Sequence, residues 1–571
     1  MKKIIYGTPE ELVPSRFCKT FCFQEKQIHY DIDRIRYRQT DRGVRLEIPL
    51  DDGEMVYGFG LQLHGFNHKG RKIVCRVNAD APAYTGDSHA PVPFFATTKG
   101  LGVYVDTARE ATFYCGYRKK EQISETSRQK RLPAITTGEL YDNALASGSS
   151  TMVIEVPAPG VAIYVMEGNT ITDVVAQYNM LSGGGCEVPQ WGLGPIYRCG
   201  SRYTDREVLN MADYFREKQI PISVIGLEPG WQSQAYPCSF IWDAGRFPNP
   251  QELVGKLKKM GYHINLWEHA FVHQEAPFYE KIEPYSGDYT VWGGLVPDFA
   301  SEEARKTFAD HHRLALVDAG IDGFKLDECD SSDYTEDWSF PHCSSFPSGL
   351  DGEQYHALLG TLYAQTIMDA LGEHKTLSEI RTMGALAASY PFVLYSNLYD
   401  HRDFIRGTVN SGFSGILWTP EVRDAVSRED FLRRLQSNIF SVQCIINAWY
   451  CKEAPWLSWD CEEELRRLLE VRMNLIPMLK EAFARYHEKG IPPVRALVMD
   501  YTDDPETYNI DDEYIFCRDL LVAPIVSGKN SRRVYLPKAE RWYDWWTGEK
   551  VESGWHEVIT ENIPVFCIRR E

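Results

Sequence analysis

The chain lacks a surplus of positive charge. Its 61 Lys and Arg stand against 80 Asp and Glu, a formal charge of −19 over 571 residues. A nucleic-acid surface needs a basic stripe and an anionic membrane attracts basic segments, so neither partner fits this chain. Also missing is any run approaching the roughly 20 apolar residues that cross a bilayer. The basic start Met1-Lys2-Lys3 has no apolar segment behind it, so no secretory leader is visible and a cytoplasmic location is expected. The 14 cysteines are scattered, with Cys18 and Cys22, then Cys444 and Cys451, as the nearest pairs, and no CxxC recurs at zinc-binding spacing. Neither a metal nor an organic cofactor is expected. No internal repeat or low-complexity tract appears. What remains is an ordinary globular composition, 43% hydrophobic and 25% charged, at a length that suggests three domains. The 32 Tyr and 14 Trp supply ring faces suited to stacking on sugars and equally to filling cores.

The pattern divides the chain into residues 1–185, 186–490 and 491–571. The first stretch has short alternating runs, such as Arg45-Leu46-Glu47-Ile48-Pro49-Leu50 and Gly102-Val103-Tyr104-Val105-Asp106, broken by Gly, Asp and Pro. That spacing predicts a β-sandwich. After Pro189-Gln190-Trp191 apolar strands alternate with helices. Strands are expected at Ile222–Leu227, Tyr262–Trp267 and Gly323–Leu326, and helices at about 205–218, 251–260 and 302–319. Strand and helix in this rhythm over about 300 residues predict a (β/α)₈ barrel. Past residue 491 short β runs return, including Tyr514-Ile515-Phe516 and Val534-Tyr535-Leu536-Pro537, with Trp542-Tyr543-Asp544-Trp545-Trp546-Thr547-Gly548 as a tight aromatic hairpin. The fold class is therefore multidomain: a central α/β barrel between two all-β sandwich domains.

In such a barrel the site lies at the C-terminal ends of the strands. Four apolar runs end in acids there: Glu228, Glu268, Asp327 with Glu328, and Glu421. A lone acid in that place is most often a cap or an ion-pair member, but four on one face point to chemistry. Cleaving a glycosidic bond takes two carboxyls, one at the anomeric carbon and one at the leaving oxygen. Trp231, Trp267, Trp292 and Trp418 are candidate pocket walls, with packing in the core an equal alternative for each. His269 is a candidate hydroxyl ligand, and His311-His312 reads as a surface pair rather than a metal site.

Gly323-Phe324-Lys325-Leu326-Asp327-Glu328 resembles the nucleophile strand of glycoside hydrolase family 31, whose GF-K-x-D pattern it matches. Phe240-Ile241-Trp242-Asp243 with Arg246-Phe247-Pro248, Asp298-Phe299 with Ala304-Arg305, and the Leu521-Val522-Ala523-Pro524 and Trp542–Gly548 segments are similar to other family signatures. The likeness covers about residues 190–570, with a weaker part at Tyr57-Gly58-Phe59-Gly60 and Pro93-Phe94-Phe95. It implies a retaining, exo-acting α-glycosidase that takes an oligosaccharide or glycoside, with Asp327 as nucleophile.

The acid/base place holds Glu421, in Trp418-Thr419-Pro420-Glu421, where the family usually has Asp; Asp424 is the alternative. Glu228 stands where the family commonly has Asp. A family His falls at Asn447 or Trp449, and a family Asp at Asn397 or Asp400. Arg381 resembles the arginine that ends another strand. Lys325 alternates with Asp327 and so shares its face, which would place its charge beside the nucleophile. The substrate-binding set is then Glu228, Trp231, Trp267, Glu268, His269, Lys325, Arg381, Trp418 and Asn447. The resemblance leans to the α-galactosidase branch. α-Glucosidase, α-N-acetylgalactosaminidase, transglycosidase and a non-catalytic sugar-binding relative stay open, as does a homo-oligomer. A retaining enzyme is expected to hold its two carboxyls about 5–5.5 Å apart, an inverting one about 6.5–9.5 Å.

Overall fold

The computed structural model of the chain describes residues 1–79, 81, 83–119, 150–332, 337–397 and 400–569. The chain begins with two five-stranded antiparallel sheets. One runs in the order Lys2–Gly7, Gly160–Glu167, Leu101–Asp106, Pro91–Thr97, Val56–Gly60; the other Arg36–Thr40, Gly43–Leu50, Ser150–Val156, Ala111–Tyr117, Lys72–Cys75. Alternation sorts their side chains. Leu46, Ile48, Phe95, Val103, Val105, Phe113, Ile154 and Ile163 fill the space between the sheets. On the first sheet Phe94, Tyr104 and Tyr164 point the other way, into the core shared with the barrel. This sheet is buried on both faces, which is why Pro91–Thr97 reads as a continuous apolar run and not as an alternating one. Each such ring or branched chain removed from water contributes roughly 1.5–3 kcal/mol. The helix Ile171–Leu181, started by a Thr170/Asp173 capping box, leads from the sandwich toward the barrel.

The central sheet is parallel, and its strands are labelled here β1 (Pro195–Arg198), β2 (Val224–Leu227), β3 (His263–His269), β4 (Gly323–Asp327), β5 (Ser378–Ile380), β6 (Phe392–Leu394), β7 (Leu417–Trp418 and Glu421–Val422) and β8 (Cys444–Asn447). The two parts of β7 carry the closure. Leu417–Trp418 bonds to β6, whereas Glu421–Val422 bonds to β8, which in turn bonds to β1. Thr419-Pro420 joins the parts, and Pro420 has no N–H for a ladder, so the strand changes partner at that point and the barrel closes. Gly415, at φ +68, makes the turn into β7; a Cβ there would come within 2.4 Å of Asn179 Oδ1.

Helices Asp205–Glu217, Pro250–Lys259, Glu302–His312, Gly352–Leu371, His401–Ser411, Arg428–Ile439 and Glu462–Lys489 surround the sheet. The expected helix at 302–319 keeps its α form to His312 and continues as a wider π turn over Arg313–Val317. The expected strands at 222–227 and 262–267 shift to 224–227 and 263–269. Between β5 and β6, residues 381–391 form turns instead of a helix, and this short connection carries Arg381. The C-terminal region pairs a six-stranded sheet with a two-stranded one. The aromatic hairpin is present, Trp542–Asp544 against Lys550–Val551, with Trp542 buried beneath it among Leu497, Leu521, Val534 and Phe566. Among the described residues no helix is long and apolar enough to cross a membrane.

Candidate active site

A cavity of about 200 Å³ opens at the C-terminal ends of the barrel strands. Asp327, the last residue of β4, lies in its wall. Its carboxylate is held from three sides. Trp267 Nε1 donates to Oδ2 at 2.7 Å, the Glu328 backbone N–H donates to Oδ1 at 2.9 Å, and Arg381 Nε lies 3.8 Å from Oδ1. Two fixed donors and a guanidinium leave the carboxylate one orientation. Glu328 has φ +56, unusual for a residue with a Cβ, and this conformation lets its N–H turn back onto the carboxylate before it.

Glu421 begins the second part of β7 and is 2% exposed. Asn447 Nδ2, at the end of β8, donates to its Oε2 at 3.1 Å. Its Oε1 lies 3.6 Å from Lys325 Nζ and is buried without a hydrogen-bond partner among the described residues. Lys325 and Asn447 both line the cavity. Glu228, after β2, lines it too. Its Oε1 accepts from Arg198 Nε and, at 3.4 Å, from Lys325 Nζ. Arg198 is fully buried and also donates to Asn265 at 2.7 Å and Glu379 at 3.0 Å. Burial pushes the Glu379 carboxyl up to about 7 against the pull of Arg198 and Lys325. Burial, and then the charge of Asp327, push the nearby Glu328 up to about 8. The barrel floor is thus a lattice of alternating charges in which removing one member strands another.

Lys325 faces the barrel interior with Asp327, as its place in the strand predicts. It does not serve Asp327: it reaches Glu228, Glu421 and the ring of Tyr395 at 4.4 Å, and Arg381 is the cation beside Asp327. Glu421, which meets the wall residues Lys325 and Asn447, lies outside the cavity wall itself, and so do Trp292, Glu268, His269, Trp231 and Trp418. Glu268 is fully buried on the opposite face of β3, where Tyr363 Oη donates to it at 2.7 Å and His312 Nε2 lies at 3.0 and 3.1 Å. His312 is therefore a core residue and not part of a surface pair. His269 packs among Tyr236, Phe271 and Trp292, and burial drives its imidazole down to about 3. Trp231 lies behind Trp267, giving its Nε1–H to the Trp267 carbonyl at 2.6 Å. Trp418 turns toward the helix after β6 and donates to the Phe404 carbonyl at 3.3 Å. Large rings in these places close the floor from behind. Asp424 stands in an exposed loop and accepts from Tyr450 Oη.

The wall also includes rim residues, of which the sequence reading names only Trp449. Tyr236, Trp338 and Trp449 are 47%, 41% and 37% exposed at the rim, and Tyr236 Oη donates to Glu328 Oε1 at 3.1 Å. Ala79 of the N-terminal sandwich reaches the same cavity. Trp449 lies at the family His place, but nothing in the local pattern marks Tyr236 or Ala79. Among the described residues no cluster of His, Cys, Asp and Glu has the form of a metal site.

Residues 186–482 match the glycosyl hydrolases family 31 TIM-barrel domain, residues 490–569 the family 31 C-terminal domain, and residues 19–113 the family 31 N-terminal galactose mutarotase-like domain. An alpha-xylosidase of Emericella nidulans is 25% identical over 542 residues, covering 89% of this chain and 65% of its own length. Alpha-glucosidase 2 of Bacillus thermoamyloliquefaciens is 27% identical over 570 residues, covering 90% and 67%. The chain thus spans about two thirds of the length of these relatives. Among solved structures, an alpha-xylosidase from a soil metagenome, complexed with xylose, superposes with a TM-score of 0.77 at 20% identity, covering 94% of this chain and 81% of that one. A Flavobacterium johnsoniae dextranase, complexed with glucose, gives 0.78 at 20% identity, covering 95% and 68%. With the family's three domain models matched in order along it, the chain belongs to glycoside hydrolase family 31.

Proposed function

We propose that the protein is a retaining, exo-acting α-glycosidase whose nucleophile is Asp327 and whose acid/base is Glu421. The supporting observation is the buried Glu421 carboxylate, which meets Asn447 at 3.1 Å and Lys325 at 3.6 Å, two residues that line the same cavity as Asp327. Lys325 and Asn447 hold this carboxyl beside the cavity, where the glycosidic oxygen of a bound substrate would take its proton. Asp327 attacks C1 of the terminal sugar as the bond to the leaving oxygen breaks, and Glu421 gives that oxygen its proton. Glu421 then takes a proton from water, whose oxygen displaces Asp327 from C1. Two inversions leave the product α. Glu228 and Asn447 read hydroxyls of the bound ring.

For the sugar, the relatives described as xylosidases and glucosidases favour an α-xyloside or α-glucoside arm over the α-galactoside that the strand motifs suggest. A panel of p-nitrophenyl α-glycosides (xyloside, glucoside, galactoside, N-acetylgalactosaminide) decides. Turnover of one of them, lost in Asp327→Ala and lowered in Glu421→Gln, with the α anomer formed first by NMR, supports the reading. Binding without turnover of any would leave a sugar-binding protein, and a β product would make the enzyme inverting. Transfer products at high substrate would mark a transglycosidase.

A further inference from the structure

The N-terminal sandwich sends one side chain through to the barrel floor. His89 lies in Asp87-Ser88-His89-Ala90, just before the strand Pro91–Thr97, and is 1% exposed. Its Nδ1 is 2.5 Å from Asp330 Oδ2, and its Nε2 is 2.8 Å from Oγ of Ser396, which follows β6. A carboxylate only accepts, so Nδ1 carries the proton of that bond. The same Asp330 oxygen receives Arg381 Nε and Nη2, each at 3.1 Å. Arg381 lines the cavity and stands 3.8 Å from the Asp327 carboxylate. His89, Asp330, Arg381 and Asp327 therefore form one continuous polar chain, buried up to the point where it reaches the cavity.

We propose that His89 is a positioning residue for the glycosidase reaction, contributed by the N-terminal domain, which sets Arg381 against the nucleophile by holding Asp330. The proposal rests on the reading of Asp327 as nucleophile. Arg381 divides its charge between two acids, and the division is set by where Asp330 sits. Asp330 is buried and follows β4 by three residues, in a segment that the barrel's own ladder does not fix. His89 adds a restraint from outside the barrel, with Ser396 bracing the far side of the ring. Without that bond Asp330 swings toward Arg381, the guanidinium follows it, and the nucleophile loses its aim. A misplacement of about 1 Å at a reacting group costs on the order of 10²-fold.

The two ring nitrogens can be tested separately, because an Asn amide falls near the place of Nδ1 and a Gln amide near that of Nε2. His89→Ala, His89→Gln and His89→Asn are compared in the full chain on the best p-nitrophenyl α-glycoside, with kcat, KM, the pH profile of kcat/KM and the melting temperature measured for each. The expected result is a fall in kcat of about 10- to 100-fold in His89→Ala and His89→Gln. Their KM changes little, and the acid limb of kcat/KM moves to higher pH as the guanidinium leaves the nucleophile. His89→Asn returns most of kcat and the wild-type acid limb. A His89→Ala variant with wild-type kcat and pH profile overturns the proposal. So does a loss that is the same in all three variants and follows their melting temperatures, which would make His89 a domain-docking residue only. Asp327→Ala in the same assay separates the two ideas: if it keeps activity, the nucleophile reading has failed, whatever the His89 variants do.

Discussion

Glu268 and Asp327 end neighbouring strands, each after an apolar run, and stand one step apart in register. His269 pairs with Asp327, and Glu268 with Leu326. One step reverses the face. Asp327 points into the barrel and meets Trp267 Nε1, Arg381 and the cavity. Glu268 points outward and closes a dry triangle with Tyr363 and His312 from the surrounding helices. The two acids look alike in the sequence, but the period of two along a strand gives one the substrate and the other the core. Position at a strand end is therefore a necessary sign of a barrel catalytic group and not a sufficient one; its parity against the neighbouring strand decides.

The largest effect expected from breaking this contrast is at Asp327. Asp327→Ala should lower kcat on the order of 10⁴-fold or more, as loss of a covalent nucleophile does, while the melting temperature holds within a few degrees. An Asp327→Ala enzyme with near-normal kcat would move the nucleophile elsewhere. Next comes Glu421→Gln, on the same inward face. It should cost about 10²- to 10⁴-fold on a substrate with a poor leaving group. The loss should shrink on a p-nitrophenyl or fluoride leaving group, which needs no proton. Azide should restore turnover in Glu421→Ala with an α-glycosyl azide, the same configuration as the water product, because it displaces Asp327 from the same intermediate. If azide rescues Asp424→Ala instead, the exposed loop acid holds the role.

Much of the architecture follows from pattern. The β/α rhythm after Trp191 and the GF-K-x-D tip at Asp327 are local, and local signals survive in a sequence. The register between β3 and β4 is not local, so Glu268 is placed on the wrong face. The strand itself runs two residues past Trp267, to His269, because parallel pairing with β4 extends it beyond its apolar run. Lys325 shows the same limit in another form. Its face is readable from Asp327 two residues on, but which acid it meets depends on the barrel closing through the broken strand at Thr419-Pro420, which brings Glu421 across to it. Trp231 and Trp418 follow strand ends as wall residues would, yet their indole N–H groups find backbone carbonyls behind the floor. Tyr236 and His89 come from a loop and from another domain, and no spacing rule reaches that far.

Glu268 gives the next test. Glu268→Ala should leave kcat and KM within about twofold. It should cost the fold about 3 kcal/mol, because the buried His312 and the Tyr363 hydroxyl lose their shared acceptor. The check is denaturant unfolding alongside steady-state kinetics. A large kcat loss in a well-folded Glu268→Ala would mean that the outward face acts on the site after all, and the parity argument would fall.

The smallest effect is expected at Glu328, which lies between the two cases: it neighbours Asp327 in sequence and opens on the same cavity. Burial first, then the Asp327 charge, push its carboxyl up to about 8, against about 4.3 in an unfolded chain. The sign follows from proton binding. Between these values the folded state holds a proton that the unfolded state has released, so the stabilising contribution is complete below about pH 4.3 and is lost as pH rises through about 8. Glu328→Gln mimics the protonated form and does not titrate. Wild type and variant should therefore melt alike at pH 4.5. Toward pH 8.5 the wild type should lose on the order of 1 kcal/mol relative to Glu328→Gln, an amount reduced from the full shift because the carboxyl borders water in the cavity. A difference that stays constant across that range would mean that Glu328 is ionised beside Asp327 at neutral pH, with Arg381 shared between them.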